Sequence, residues 1–236
     1  VIYDGNDKDA AEVIAAKAKE LGSPAYKVVQ AGAKVLGNNK DGIDFSLEDD
    51  YYGDTRFHIP FIAWYQVMNA SLALTTMEVL KDRIPVTMEQ LQAGIANTRW
   101  QGRMETILPG VIVDGAHNED GVRRFVETAE RFQKEYPLTL LFSAVNDKDY
   151  QDMIHTICSR IKFRKVVTTE VGGYREVPSA ELAEIFCKEG CKDIGNSDNI
   201  EEAFHMAHEA KGEDGMLFCV GSLYLVGEIK TLLLKK

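Results

Sequence analysis

The chain has 236 residues, 45% of them hydrophobic and 27% charged, the balance of an ordinary globular protein. Its 27 Lys and Arg against 37 Asp and Glu leave a net charge of −10, which argues against non-specific binding to nucleic acid or to an anionic membrane. No apolar stretch reaches the length of a membrane span, and no secretory signal pattern opens the chain. Four cysteines (158, 187, 191 and 219) are too few for a disulfide framework in a chain of this length, which points to a reducing cytoplasm. The chain opens on Val1-Ile2-Tyr3, which reads as a strand already under way and marks it as a piece of a longer protein.

Along the first part, Ala10, Ala11, Val13, Ile14, Ala18 and Leu21 recur at helical spacing, with Gly22 as a stop. A strand follows over 25–29. A hairpin is expected over 35–45, its turn supplied by Asn38-Asn39 and Asp41-Gly42. A short strand within 55–61 and a long apolar helix over 63–81 come next. Thr87-Met88-Glu89-Gln90 has capping-box form and opens a helix to about Ala96.

From Trp100 the pattern changes. Residues 104–108 and 111–114 flank Pro109-Gly110 and predict an antiparallel pair. Helices over 118–136, 150–160, 179–189, 200–210 and 223–234 then alternate with strands over 138–142, 165–170, near 193–194, and over 216–220. Such alternation predicts an α/β fold, a mainly parallel sheet of about six strands with helices on both faces. The boundary between the two parts is expected within 97–101, dividing the chain into 1–97 and 98–236.

Candidate chemistry gathers where strands end. Val111-Ile112-Val113-Asp114-Gly115-Ala116-His117-Asn118 runs from an apolar strand through an acid and a glycine to a helix N-terminus, an arrangement suited to a phosphate. Asp114 is a candidate to accept from a ribose hydroxyl or to hold a cation. The alternative is a solvated acid, with Asn118 a simple helix cap. Arg103, beside Gly102 and Glu105, offers a guanidinium for phosphate or base, or is an ordinary surface arginine. Gly221-Ser222-Leu223-Tyr224 puts small polar groups at a strand end and a helix start, whether for a ligand or as turn and cap. Lys148, in Asp147-Lys148-Asp149, either meets phosphate or is solvated. Cys187 and Cys191 read as packing and a loop thiol rather than zinc ligands, His205 and His208 as solvent-facing, and His155 as lacking a partner. The chain contains no G-x-x-x-x-G-K-[ST] phosphate loop, no G-x-G-x-x-G after a strand and no G-x-S-x-G elbow.

Trp100-x-Gly102-Arg103-x-Glu105, Asp114-Gly-Ala-His117-Asn118, Asp147-Lys148-Asp149 and Gly221-Ser222-Leu223-Tyr224-Leu225-Val226-Gly227-Glu228, in this order, resemble the C-terminal half of the folylpolyglutamate synthase/dihydrofolate synthase family, the folate branch of the Mur ligase superfamily. Tyr65-Gln66-Val67-Met68-Asn69 is similar to that family's His-Gln-x-x-Asn helix, with Tyr65 in place of His. The first twenty residues resemble the strand and helix that follow the catalytic lysine loop of its central domain. The resemblance implies that 1–97 is the tail of a central ATP-binding domain without its P-loop, an incomplete lobe that exposes apolar surface or pairs with another copy. It implies that 98–236 is a Rossmann-like C-terminal domain. The implied reaction phosphorylates a folate γ-carboxylate, or dihydropteroate, with ATP and magnesium, and glutamate's amine then attacks the acyl phosphate. Asn69, Arg103 and Asp114 are implied ATP contacts, while His117 and Ser222 line the phosphate or glutamate side and Tyr224 is a further candidate. The full-length enzyme is expected to be monomeric, with small-molecule substrates only and no nucleic acid or membrane partner. The other readings are a non-catalytic Rossmann-like binding module and a peptidoglycan ligase of the Mur type.

Overall fold

The computed structural model describes residues 1–39, 41–173 and 175–234. Two compact units divide the chain, Val1–Arg99 and Trp100–Lys236.

In the first unit, β1 (Ile2–Asp4), α1 (Lys8–Glu20) and β2 (Tyr26–Val28) form a small parallel βαβ layer. Asp7 starts α1 by accepting from the Ala10 N–H at 3.0 Å. Val13, Leu21, Tyr26 and Val29 of this layer are exposed. Next come β3 (Ala33–Asn39), β4 (Gly42–Leu47) and β5 (Phe57–Ile59), an antiparallel sheet in the order β3-β4-β5. Ile43, Phe45 and Leu47 alternate along β4 into the core, the period-2 signature of a half-buried strand. Across them lie Phe57 and Ile59, then Val67, Ala70 and Leu74 of α2 (Tyr65–Val79) and Leu91 of α3 (Met88–Ala96). The Thr87–Gln90 capping box is formed at the start of α3. Asn38 and Asn39 are strand residues rather than turn, since Asn39 pairs with Gly42. Of the residues between them, Lys40 lies outside the described residues.

The second unit is built on β6 (Glu105–Leu108), β7 (Val111–Asp114), α4 (Glu119–Phe132), β8 (Leu138–Phe142), α5 (Tyr150–Arg160), β9 (Phe163–Thr169), α6 (Ser179–Lys188), β10 (Ile194–Ser197), α7 (Ile200–Lys211), β11 (Met216–Val220) and α8 (Leu223–Leu234). The expected elements are all present. The main shifts are that α4 stops at Phe132, β9 begins at Phe163, and the weak strand near 193–194 is an edge strand reaching Ser197. Six strands form one sheet in the order β10-β9-β8-β11-β7-β6, parallel throughout except for the β6–β7 pair.

The continuous apolar runs of β8 and β11 follow from burial on both faces. Phe218 points to one face, with its ring 5.5 Å from Phe125 and 6.4 Å from Phe132 of α4. Phe142 meets Phe186 of α6 at 5.3 Å. Leu217 and Cys219 point the other way, packing with Leu141, Val113 and Val167 against Ala203 and Ala207 of α7 and Leu225 and Ile229 of α8. Thus α4 and α6 cover one face and α7 and α8 the other, with α5 between α4 and α6.

A doubly wound sheet takes its ligands where the strand connections change face. β11 sits between β7 and β8, yet its chain leaves toward the α8 face, while β7 feeds α4 on the opposite face. Neighbouring strands whose connections depart to opposite faces leave a cleft at their carboxyl ends. Asp114, Ser143 and Gly221-Ser222 occupy those ends.

Candidate functional site

At the carboxyl end of β7, Asp114 opposes Val220 in the β11 register. The acid is buried rather than solvated, 4% exposed. Its Oδ2 accepts from the Met104 N–H and its Oδ1 from the Ala116 N–H, each at 2.8 Å. One carboxylate therefore fixes two loops, that carrying Arg103 and that carrying His117. Burial pushes the Asp114 carboxyl up to about 6, and the two backbone donors, with the charge of Arg103, oppose that rise.

With its folded pKa raised above the unfolded carboxylate value of about 3.9, Asp114 favours folding fully below pH ~4 and loses that contribution as pH rises through 6. At about 1.4 kcal/mol per pKa unit the loss is on the order of 3 kcal/mol. Urea unfolding of the wild type and of Asp114→Asn, which cannot titrate, is expected to show their stability difference shifting against the wild type by that amount between pH 4 and 7. A difference constant with pH would exclude it.

The Arg103 loop is built by its neighbours. Gly102 has φ 66 and Met104, buried at 1% exposure, has φ 46. Two left-handed residues flanking Arg103 make a tight loop, and a non-glycine residue there persists only where its surroundings hold it. Those surroundings are hydrogen bonds. The Gly102 N–H donates to Glu105 Oε2 at 2.8 Å, the Gly115 N–H donates to the Gly102 carbonyl at 2.8 Å, and Met104 is held by Asp114. The Lys230 ammonium of α8 closes on both Glu105 oxygens, at 2.8 and 3.0 Å. The Arg103 guanidinium lies 6.0 Å from the centre of the Trp100 ring and makes no ion pair among the described residues.

His117 is half-buried, with Nδ1 2.6 Å from the Gly115 carbonyl. A carbonyl can only accept, so Nδ1 carries the proton and Nε2 is the available nitrogen. Asn118 is the N-cap of α4, accepting from the Gly121 N–H at 2.9 Å, and Glu119 and Asp120 make this helix start poor for an anion. The start of α8 differs, with no acidic residue in its first turn. Ser222 is 2% exposed, and its Oγ accepts from the Tyr224 N–H at 3.1 Å. Across β11, the Ser143 hydroxyl at the end of β8 is fully buried without a hydrogen-bond partner among the described residues.

Arg103, Asp114, His117 and Ser222 thus meet at one end of the sheet. Asn69 lies in the first unit, exposed on α2, donating to Gln66 Oε1 at 2.8 Å. Tyr65 opens that helix. Lys148 is exposed and Asp149 caps α5, accepting from the Asp152 N–H at 3.2 Å. Asp147 accepts from Arg175 at 3.0 Å, and Arg175 also donates to the exposed Tyr224 hydroxyl at 2.9 Å. The Lys230–Glu105 tether, the Met104 conformation and the Ser143 hydroxyl escaped sequence reasoning. Residues 125 positions apart carry no pairing signal, and a left-handed methionine carries none either. His155, expected to stand alone, pairs with Glu189 at 2.9 Å.

Residues 102–223, just over half of the chain, match the family described as Mur ligase, glutamate ligase domain. The dihydrofolate synthase/folylpolyglutamate synthase of Bacillus subtilis is 30% identical over 194 residues, 79% of this chain and 43% of that protein. Among solved structures, folylpolyglutamate synthase from Thermotoga maritima superposes with TM-score 0.78 at 22% identity, covering 99% of this chain and 53% of that one. The Mycobacterium tuberculosis folylpolyglutamate synthase, complexed with ADP and AMPPCP, gives 0.73 at 23% identity over 96% of this chain and 53% of its own. The chain spans about half or less of the length of these relatives.

Proposed function

The chain belongs to the Mur ligase glutamate ligase domain family, and from that premise we propose that it is the C-terminal part of an ATP-dependent ligase that joins glutamate to a folate, to dihydropteroate, or to both. The observation that carries this reading is the meeting of Arg103, Asp114, His117 and Ser222 at the switch point of the sheet. ATP supplies a phosphoryl group that activates a carboxylate toward glutamate's amine.

The residues present suit an anionic nucleotide. Arg103 presents a planar guanidinium not committed to any carboxylate among the described residues, on a loop held rigid from three sides. Asp114 positions that loop, and each of its oxygens keeps a lone pair for a ribose hydroxyl. His117 offers Nε2 as an acceptor, for a hydrogen bond or for a proton released by the amine. Ser222 and the first N–H groups of α8 present dipoles suited to phosphate or carboxylate. Asn69 on α2 is proposed as the adenine contact. Among the described residues, no group of three or more His, Cys, Asp or Glu side chains is placed to hold a metal ion. Catalysis by this half is positioning and charge stabilisation.

The test is nucleotide affinity in the intact ligase. A charge-assisted hydrogen bond is worth roughly 1.5–3 kcal/mol, so Asp114→Ala is expected to raise the apparent ATP dissociation constant by one to two decades, at about 1.4 kcal/mol per decade. Arg103→Lys is expected to weaken ATP by about tenfold with folding unchanged, because an ammonium cannot reproduce the fork. Unaltered ATP titrations in folded variants would reduce both residues to structural roles.

A further inference from the structure

We propose that Cys158 and Cys191 form a reversible thiol–disulfide site on the flank of the second unit, oxidised by low-molecular-weight disulfides of the glutathione class. The inference is independent of ligase activity. Cys158 lies on α5, and Cys191 lies three residues past the end of α6, 33 positions on, yet their sulfurs are 3.6 Å apart. A disulfide needs about 2.05 Å, so closure requires a movement of only about 1.5 Å.

Both backbones are held in place for that closure. Past α6 the chain turns at Gly190, and the Cys191 N–H donates back to the Phe186 carbonyl at 3.1 Å. One turn before Cys158 on α5, His155 reaches Glu189 of the same turn at 2.9 Å. The His155–Glu189 pair therefore ties α5 to the end of α6, and the Cys191 N–H bond fixes the turn that carries Cys191. Cys158 and Cys191 are half-buried, whereas Cys219 is buried in β11 and Cys187 is exposed on α6.

The contact also assigns roles. The contact with Cys191 and burial hold the Cys158 thiol up, and the same contact lowers Cys191, so Cys191 is the attacking sulfur. The Cys191 thiolate attacks one sulfur of oxidised glutathione, breaking its S–S bond and releasing one glutathione thiolate. Cys158 then gives its proton to water, and its thiolate attacks the Cys191 sulfur. That step forms the Cys158–Cys191 bond and expels the second glutathione thiolate, which takes up a proton. Two protein thiols are oxidised and one glutathione disulfide is reduced to two thiols.

Equilibration of the full chain in glutathione buffers of increasing oxidised fraction, then acid quench, alkylation with N-ethylmaleimide and peptide mapping, tests this. The expected product is a peptide linking Cys158 to Cys191, lighter by two hydrogens, with Cys219 unmodified until the chain unfolds. Cys158→Ser is expected to retain one glutathione on Cys191, and Cys191→Ser to leave Cys158 without an adduct. Closing a loop of this length should raise the melting temperature by roughly 5 °C or more, and dithiothreitol should reverse the rise. Complete alkylation of both thiols at every ratio, or a wild type that stops at a glutathione adduct, would overturn the proposal. If a serine variant fails to fold, the wild-type map decides alone.

Discussion

Supplied with ATP, magnesium, glutamate and a folate acceptor, the 236-residue chain alone is expected to form glutamyl amide at least three decades more slowly than an intact ligase. Phosphoryl transfer depends on a cradle of backbone N–H groups and a lysine around the terminal phosphates, and no G-x-x-x-x-G-K-[ST] stretch occurs in this sequence. A single phosphate-stabilising arginine is worth roughly 10³–10⁵ in rate in related chemistry, so the loss of a whole cradle is worth no less. The second unit can still hold its crevice, because the bonds that shape it are internal to that unit: Asp114 to Met104 and Ala116, Glu105 to Gly102 and Lys230. Rate and binding are therefore expected to separate, with turnover abolished and residual nucleotide affinity retained. Quantifying the glutamyl product by mass spectrometry over hours checks it. Steady ATP-dependent formation by the chain alone would show that these residues suffice for phosphoryl transfer.

Much of this architecture was legible because its signals are local. β8 and β11 announce burial on both faces through unbroken apolar runs, and Thr87–Gln90 announces a helix start by its capping box. The crevice was legible in part, since Asp114-Gly115 and Gly221-Ser222 each follow an apolar strand, where a doubly wound sheet presents ligand groups. The environment of each group was not. Asp114 is as compatible with water as with burial until Met104 closes on it from ten residues away. Arg103 reads as any surface arginine until the left-handed Met104 and the Glu105–Lys230 pair show how rigidly its loop is held. The Cys158–Cys191 contact is hidden for the same reason. Helical spacing draws the eye to Cys187 and Cys191, while the partner sulfur arrives from a different helix.

The segment Gly221-Ser222-Leu223-Tyr224-Leu225-Val226-Gly227-Glu228 holds two glycines for which alanine is expected to have opposite effects. Gly221 is buried with φ 110, a backbone conformation that side chains rarely adopt. A Cβ there would overlap the Ser143 carbonyl oxygen and stand 2.8 Å from the Phe142 ring. Neither obstacle yields easily, since Phe142 is locked against Phe186 and the Ser143 N–H is bonded to the Val220 carbonyl at 3.3 Å. Backbone strain of roughly 1–3 kcal/mol and overpacking of roughly 1–3 kcal/mol combine to a destabilisation of about 2–6 kcal/mol for Gly221→Ala. The end of β11 must part from β8, carrying Ser222 away from the end of β8, so binding at that end of the sheet should weaken along with stability. Gly227 is exposed in the interior of α8 with nothing within 4 Å of a Cβ. Gly227→Ala is therefore expected to stabilise by about 0.4–1 kcal/mol, through a less disordered unfolded chain. Urea unfolding of the two single variants separates the cases by sign. Equal effects, or a Gly221→Ala variant within about 0.5 kcal/mol of wild type, would show that the close approach of β11 to β8 at this end is not what fixes the crevice.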